Sequence, residues 1–391
     1  MTRRDVVITG IGLVSSLGEG PDAHWAALNN GAKPVVDSAS FAPFPVHPLP
    51  ALSLDAQIPK KGDQRQMEPW QRLGTYAAGL AIDHAGARGL VSDMHLVVAA
   101  GGGERDVAVD EAVTAALTTC APEASGALLN EKLATELRPT LFLAQLSNLL
   151  AGNISIVHGV TGSSRTLMGE EEAAADAIRI AAARLAEGRG EIALVGGAFA
   201  SQRWDMVLLY APGGVLWQGD YAPISARGDA GGLILGGMAA FLVLETAEHA
   251  RARGAKALAR IGAIASDAAH QRAGGGSAKA AAALWQGMAY STAGLGVISG
   301  MTGVAEARVE EEAFLAGLGS VPVRRSGSVL GHGVEASFPA NVALAALALS
   351  RNGFYPKMDP ADAGDGAVER ILVTGFGQWR GEALALLEKA P

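Results

Sequence analysis

What most limits the fold of this chain is an alternation that runs its whole length. Short, almost wholly apolar segments of strand length are separated by alanine-rich segments of helical periodicity. In the first half DVVITGIGLV, MHLVVAAGGG and EIALVGGAFA are strand-like, and WQRLGTYAAGLAIDHAG and AAADAIRIAAARLAEG are helix-like. The second half repeats the scheme with AAFLVLE, LGVISG and RILVTGFGQW against KAAAALWQGMAYSTAG, VEEEAFLAGLG and VALAALALS. Apolar runs without in-out alternation are strands covered on both faces, so the pattern predicts α/β layers with buried, partly parallel sheets. With 391 residues the chain can form one large α/β domain or two fused halves. A short echo between VITGIG (7–12) and LVTGFG (372–377) hints at duplication. The proline-rich stretch 36–66 reads as an elaborated loop.

Composition removes several function classes. The chain is 49% hydrophobic and 18% charged, globular rather than disordered. A net charge of −8 argues against nucleic-acid binding, which needs a basic stripe, though not against a local basic patch for an acidic carrier protein. No apolar run reaches the roughly 18 residues of a membrane span, and GGLILGGMAAFLVLE (231–245) reads as a buried strand. The opening MTRRDVVITGIGLVSSLG reads as a first strand rather than a secretory signal, because Asp5 and the glycines interrupt it. The single cysteine, Cys120, excludes a disulfide framework and reads as a structural thiol at a helix end, which fits a reducing cytoplasm. GIGLVSSLG lacks the third glycine of a dinucleotide fingerprint, having Ser15 there, and AGGGSAKAA lacks the ending of a phosphate loop. The eight histidines form no metal-ligand spacing, so no metal and no cofactor is expected.

Taken in order, the segments resemble the β-ketoacyl-acyl-carrier-protein synthases, condensing enzymes of fatty-acid and polyketide synthesis. RRDVVITGIGLVSSLGEG resembles that family's opening strand, and NLLAGNISIVHGVTG the approach to its active-site loop. EIALVGGAFA resembles the strand after its nucleophile helix. LVLETAEHARARGAKALARI, SDAAHQ and GFGQW are similar to further family segments, the last to a glycine-rich loop with a gating phenylalanine. The resemblance implies a thiolase-like fold: five layers, α-β-α-β-α, built from two similar halves with mixed sheets, residues 1–245 and 246–391. It also implies dimerisation beside the nucleophile loop and an acyl carrier protein as partner.

The resemblance also shows where this chain departs from the family's chemistry, a Claisen condensation. In the family, a cysteine at a helix N-terminus carries the acyl group, and its thiol pKa is lowered there. Two histidines stabilise the enolate as an oxyanion site, and a lysine supports one of them. Counting from Gly162 and from Gly197 puts Glu171, in the run Glu170–Glu172, at the nucleophile position. Gly300 stands at the first histidine, Gly327 at the lysine and Gly237 at a family glutamate, while His332 keeps the second histidine. Glutamate could attack a thioester only to give an anhydride. The loss of one oxyanion donor alone costs about 10²–10³ in rate.

Glu171 is therefore expected to pair with His332 and plug the former site, while capping explains Glu170 and Glu172 equally well. Phe376, between Gly375 and Gly377, is read as a gate or as plain core, and His270 as lining a substrate entrance. His158 and the pair Ser163–Ser164 have only position in their favour, with no nucleophile elbow around the serines. The expected function is a ketosynthase-like, non-condensing subunit of the chain-length-factor kind. It would pair with an active ketosynthase and shape a long or specialised acyl chain, a very-long-chain fatty acid being one such product. One rival is an active synthase or decarboxylase with an unusual site. Another is a non-enzymatic homodimer that holds acyl chains or carrier protein.

Overall fold

The computed structural model describes residues 3–390 apart from 102, 104, 140, 271–273 and 379. Ten strands lie on one hydrogen-bonded path. In chain order they are β1 (Val6–Ser15), β2 (His95–Ala99), β3 (Ser164–Leu167), β4 (Ile192–Phe199), β5 (Met238–Thr246), β6 (Ala259–His270), β7 (Leu295–Ser299), β8 (Val323–Arg325), β9 (Arg370–Phe376) and β10 (Arg380–Glu388). The helices that position the site are α1 (Pro69–His84), α2 (Val107–Thr119), α3 (Leu149–His158), α4 (Glu170–Ala186), α5 (Trp204–Tyr210), α6 (Gly276–Met288), α7 (Ala305–Gly317) and α8 (Ser337–Ser350).

The spatial order β1-β5-β4-β2-β3 is repeated as β6-β10-β9-β7-β8. In each block the first two pairings are antiparallel and the last two parallel. The halves thus share one topology, and a two-residue antiparallel contact, Val7 with Arg260 and Ile8 with Ala259, joins their sheets. The echo between VITGIG and LVTGFG links β1 with β9, which hold different places in the two blocks. The counterpart of β9 is β4, so that echo is a coincidence of two buried strands, although the topology is duplicated.

Helices α4 and α8 lie between the two sheets, α1 and α3 cover the outer face of the first, and α6 and α7 cover the second. This is the expected five-layer arrangement. The middle layer has a sequence cause. Residues 338–349 of α8 are all buried, as an all-round apolar helix requires. α4 buries Ala173, Ala174, Ala175, Ala177, Ala181, Ala182 and Ala186, whose small side chains let it fit between two sheets. The GIG of β1 also has a structural reason. A Cβ on Gly12 would overlap the Ala77 carbonyl and one on Gly10 the Ala81 carbonyl, because α1 lies directly on the strand there.

Candidate functional site

Strand β3 is followed by an abrupt turn into α4: Gly169 at φ 142° and Glu170 at φ 58°, both in left-handed territory. A side chain in that conformation costs about 1–2 kcal/mol, so the turn is held by its surroundings. It spreads the three glutamates apart. Glu170 lines a cavity beside Trp70, Tyr210 and Glu335. Glu172 is buried, with its carboxylate against the α-carbon side of Gly381. Glu171 faces the second half of the chain.

His332 waits there on a fixed backbone. Its N–H donates to the Ile234 carbonyl and its own carbonyl accepts from Gly236 N–H, both at 2.8 Å. Gly331 precedes it at φ 73°, with no room for a side chain against the Ile234 carbonyl. The ring Nε2 lies 2.9 Å from Glu171 Oε1, and Nδ1 lies 3.4 Å from the Ser337 hydroxyl. Burial pushes the Glu171 carboxyl up, but the His332 hydrogen bond and charge, with backbone N–H groups of Glu171 and Gln378, hold it below the usual carboxylate range. Oε2 makes no hydrogen bond of ordinary geometry. An ionised carboxylate can only accept, so His332 donates from Nε2. That imidazole N–H is therefore already used by Glu171.

The three glycines that the resemblance sets at the family's histidine, lysine and glutamate positions, Gly300, Gly327 and Gly237, are backed closely by backbone or neighbouring side chains. A Cβ on Gly300 would overlap the Thr374 carbonyl oxygen, which already accepts from Gly300 N–H at 3.1 Å. At Gly327 a Cβ would come within 2.8 Å of the Met301 carbonyl, and at Gly237 within 2.7 Å of Leu49 Cγ. Ser326 donates to Asn341 Oδ1 at 2.6 Å. Beneath Gly300, the buried Glu311 accepts from Ser299 and Thr374 hydroxyls, each at 2.6 Å. The void left between Gly300, Gly327, His332, Ser337 and Asn341 is about 10 Å³, at most one water. A thioester has no seat in it.

The other candidates separate. Phe376 is 2% exposed and packs on Phe314 of α7 with ring centroids 6.0 Å apart, on the outer side of the second sheet. Gly375 lies against Phe338 of α8, and Gly377 N–H donates to the Gly381 carbonyl at 2.9 Å. The side chain of His270 lies outside the described residues. His158 is structural: Nε2 donates to the Thr75 carbonyl at 2.8 Å, Nδ1 accepts from Arg88 at 3.0 Å, and burial lowers it to about 4. Ser163 meets His95 at 2.8 Å on the surface, Ser164 begins β3, and Cys120 is a free, partly exposed thiol after α2. Among the described residues no group of histidine, cysteine and acidic side chains is arranged to hold a metal. No helix there is long and apolar enough to cross a membrane.

Sequence reasoning missed Glu335. It is 5% exposed, three positions after His332, and reaches the end of β2 across Gly101. Burial, then the charges of Glu171 and Glu170, push its carboxyl up to about 7. The signal was present as a lone charge in the otherwise uncharged run SVLGHGVEASFPANVALAALALS.

A family profile, Beta-ketoacyl synthase, N-terminal domain, matches residues 3–250. The 3-oxoacyl-(acyl-carrier-protein) synthase 2 of Rhizobium meliloti (strain 1021) is 28% identical over 285 residues, 66% of this chain and 63% of that protein. The match therefore spans less than two thirds of that relative's length. Among solved structures, the ishigamide ketosynthase/chain length factor aligns over 100% of both chains with a TM-score of 0.81 and 21% identity. A type II PKS acyl-carrier protein in complex with its hexaketide-bound ketosynthase aligns over 100% of both chains with a TM-score of 0.76 and 18% identity. At such identities the two structures speak for the thiolase-like fold of ketosynthases.

Proposed function

The chain belongs to the β-ketoacyl synthase family, and from that premise we propose that it is a ketosynthase-like subunit without condensing activity of its own. It acts in fatty-acid or polyketide biosynthesis, in the cytoplasm, beside an active ketosynthase whose acyl chain it helps to shape. The observation that carries this reading is the 2.9 Å contact between Glu171 and His332. In this reading Glu171 stands at the nucleophile position and its carboxylate occupies the one retained enolate donor, which the contact supports. Backbone packed behind Gly300 and Gly327 then closes the space in which the other two groups would stand.

Two further features support a partner. Strand β3 pairs only with β2 among the described residues, so its other edge is open. Beside it Met168 is 66% exposed and Ile156 72% exposed. An open strand edge with large apolar side chains marks a surface that is covered in the working assembly. The similarity in fold to a ketosynthase/chain length factor, and to a ketosynthase that engages an acyl-carrier protein, fits a heterodimer served by a carrier protein.

The reading of the chain as an active synthase or decarboxylase requires His332 to give up Glu171. The one hydroxyl hydrogen-bonded to that ring among the described residues, Ser337, lies 3.4 Å from Nδ1 and donates to Met238 Sδ at 4.0 Å. Intact-mass spectrometry after incubation with acyl-carrier protein tests the proposal. We expect no covalent acyl adduct on this chain, and an acylated Glu171 peptide would overturn it.

A further inference from the structure

Behind the turn into α4 lies a second, larger space that the closed site does not use. It is a cavity of about 120 Å³ walled by Trp70, Phe199, Met206, Leu209, Tyr210 and Val334, and it receives Glu170, Arg203 and Glu335. Of these, Glu335 is anomalous. It is 5% exposed, and apart from its own backbone N–H its carboxylate has no hydrogen-bond or ion-pair partner among the described residues. Arg203, the one cation of the wall among the described residues, is engaged with other groups. Its Nε and Nη2 bind Asp205 at 3.0 and 2.5 Å, and Nη2 also donates to the Gly103 carbonyl at 3.0 Å. Arg203 attracts the Glu335 carboxylate without forming an ion pair with it. A buried carboxylate with no bonded counter-charge is costly, and this one lines a cavity that Trp70 and Tyr210 also line.

The approach to this cavity has the same character. Leu209 lines both the cavity and an open groove of about 660 Å³ between α2 and α5. Apolar Val107, Ala115, Leu208 and Leu209 form its walls, and Asp110, Glu111 and Asp205 its charged rim. Among the described residues Arg105 is the one cation there, and it is paired with Asp110 at 2.6 Å. A volume of that size suits a small molecule rather than a protein segment.

We propose that the cavity is a binding site for an alkylammonium group, with the Glu335 carboxylate as counter-ion, Tyr210 and Trp70 beside the cation, and the alkyl body lying along Leu209 into the groove. A cation between carboxylate and aromatic faces is stabilised by both. Neither a free carboxylate nor a plain hydrocarbon end satisfies Glu335. This site is separate from the Glu171–His332 contact and does not depend on the subunit reading.

The test is calorimetric titration of n-hexylammonium, n-hexanol and hexanoate into the full-length protein and into Glu335→Gln. The ammonium is expected to bind at least tenfold more tightly than hexanol, about the size of a charge-assisted hydrogen bond, and hexanoate not at all. Glu335→Gln is expected to bring the ammonium to within about threefold of hexanol with the alkyl contacts kept. Equal binding of amine and alcohol, binding of hexanoate, no amine binding, or an unchanged amine affinity in Glu335→Gln overturns the proposal. Should that variant fail to fold, the three-ligand comparison on the unaltered protein decides alone.

Discussion

Glu171 and His332 stand 161 positions apart in the chain and meet at 2.9 Å across the boundary between its two halves. Each is the other's means of being buried. Removing one leaves the other stranded, so the two single variants are unequal. His332→Ala strands a carboxylate and is expected to lower unfolding free energy by about 3 kcal/mol. Glu171→Gln, which keeps an acceptor for Nε2–H, costs about 1 kcal/mol. Urea unfolding followed by circular dichroism measures both. A His332→Ala loss below that of Glu171→Gln contradicts the pairing.

Gly300 and Gly327 are expected to be structural requirements, not erasures that can be reversed. Gly300→Ala drives a Cβ into the Thr374 carbonyl and Gly327→Ala sets one 2.8 Å from the Met301 carbonyl. Each is predicted to cost about 1–3 kcal/mol by overpacking. Thermal unfolding that matches the unaltered protein in both variants would show that the backbone gives way easily and that the closed space is not fixed.

Much of this was legible in the sequence, and the reasons differ from residue to residue. Layering followed from the uninterrupted apolar strands, because a strand covered on both faces needs no alternation. Glu171 followed from unbroken counting between Gly162 and Gly197, and His332 from the Gly-His pair in GSVLGH. Glu335 was missed because counting compares positions with a pattern, whereas its meaning lies in what surrounds it. Whether Phe376 faces a gate or the core depends on which side of β9 it leaves, and the strand's setting between α7 and α8 decides that. The closure behind Gly300 involves Thr374, 74 positions away, a proximity that only the fold creates.

Restoring the nucleophile alone is expected to fail. Glu171→Cys offers a thiol at a helix start, where its pKa is lowered, yet leaves the lysine and first histidine positions as glycine. Its condensation rate with acyl- and malonyl-carrier protein is predicted to stay at background, at least 10²-fold below an intact site on the loss of one oxyanion donor alone. Robust turnover by this single variant would mean that His332 suffices as enolate donor.

Stability should carry a signature of Glu335. Its carboxyl is raised from 4.5 to about 7, so the unfolded chain loses that proton first. The group therefore costs stability progressively as pH rises through that interval, by about 3 kcal/mol in all, and the cost persists above it. Glu335→Gln removes the cost, so its stability relative to the unaltered protein should grow from pH 4.5 to pH 7.5. The buried His24, His47 and His158, lowered from 6.5 to about 4, act the other way. They lose stability as pH falls through that range, equally in both proteins, so the difference isolates Glu335. A difference that is flat with pH contradicts the assignment.

The most direct measurement is a condensation assay with acyl- and malonyl-carrier protein on the purified chain alone and on the chain co-expressed with an active ketosynthase. The chain alone is expected to form no carbon–carbon bond, and the pair to give product whose chain length shifts when residues of this chain are changed. Condensation product from the chain alone would contradict this reading, since a site closed by Glu171 and His332 could not then be the whole of the chemistry.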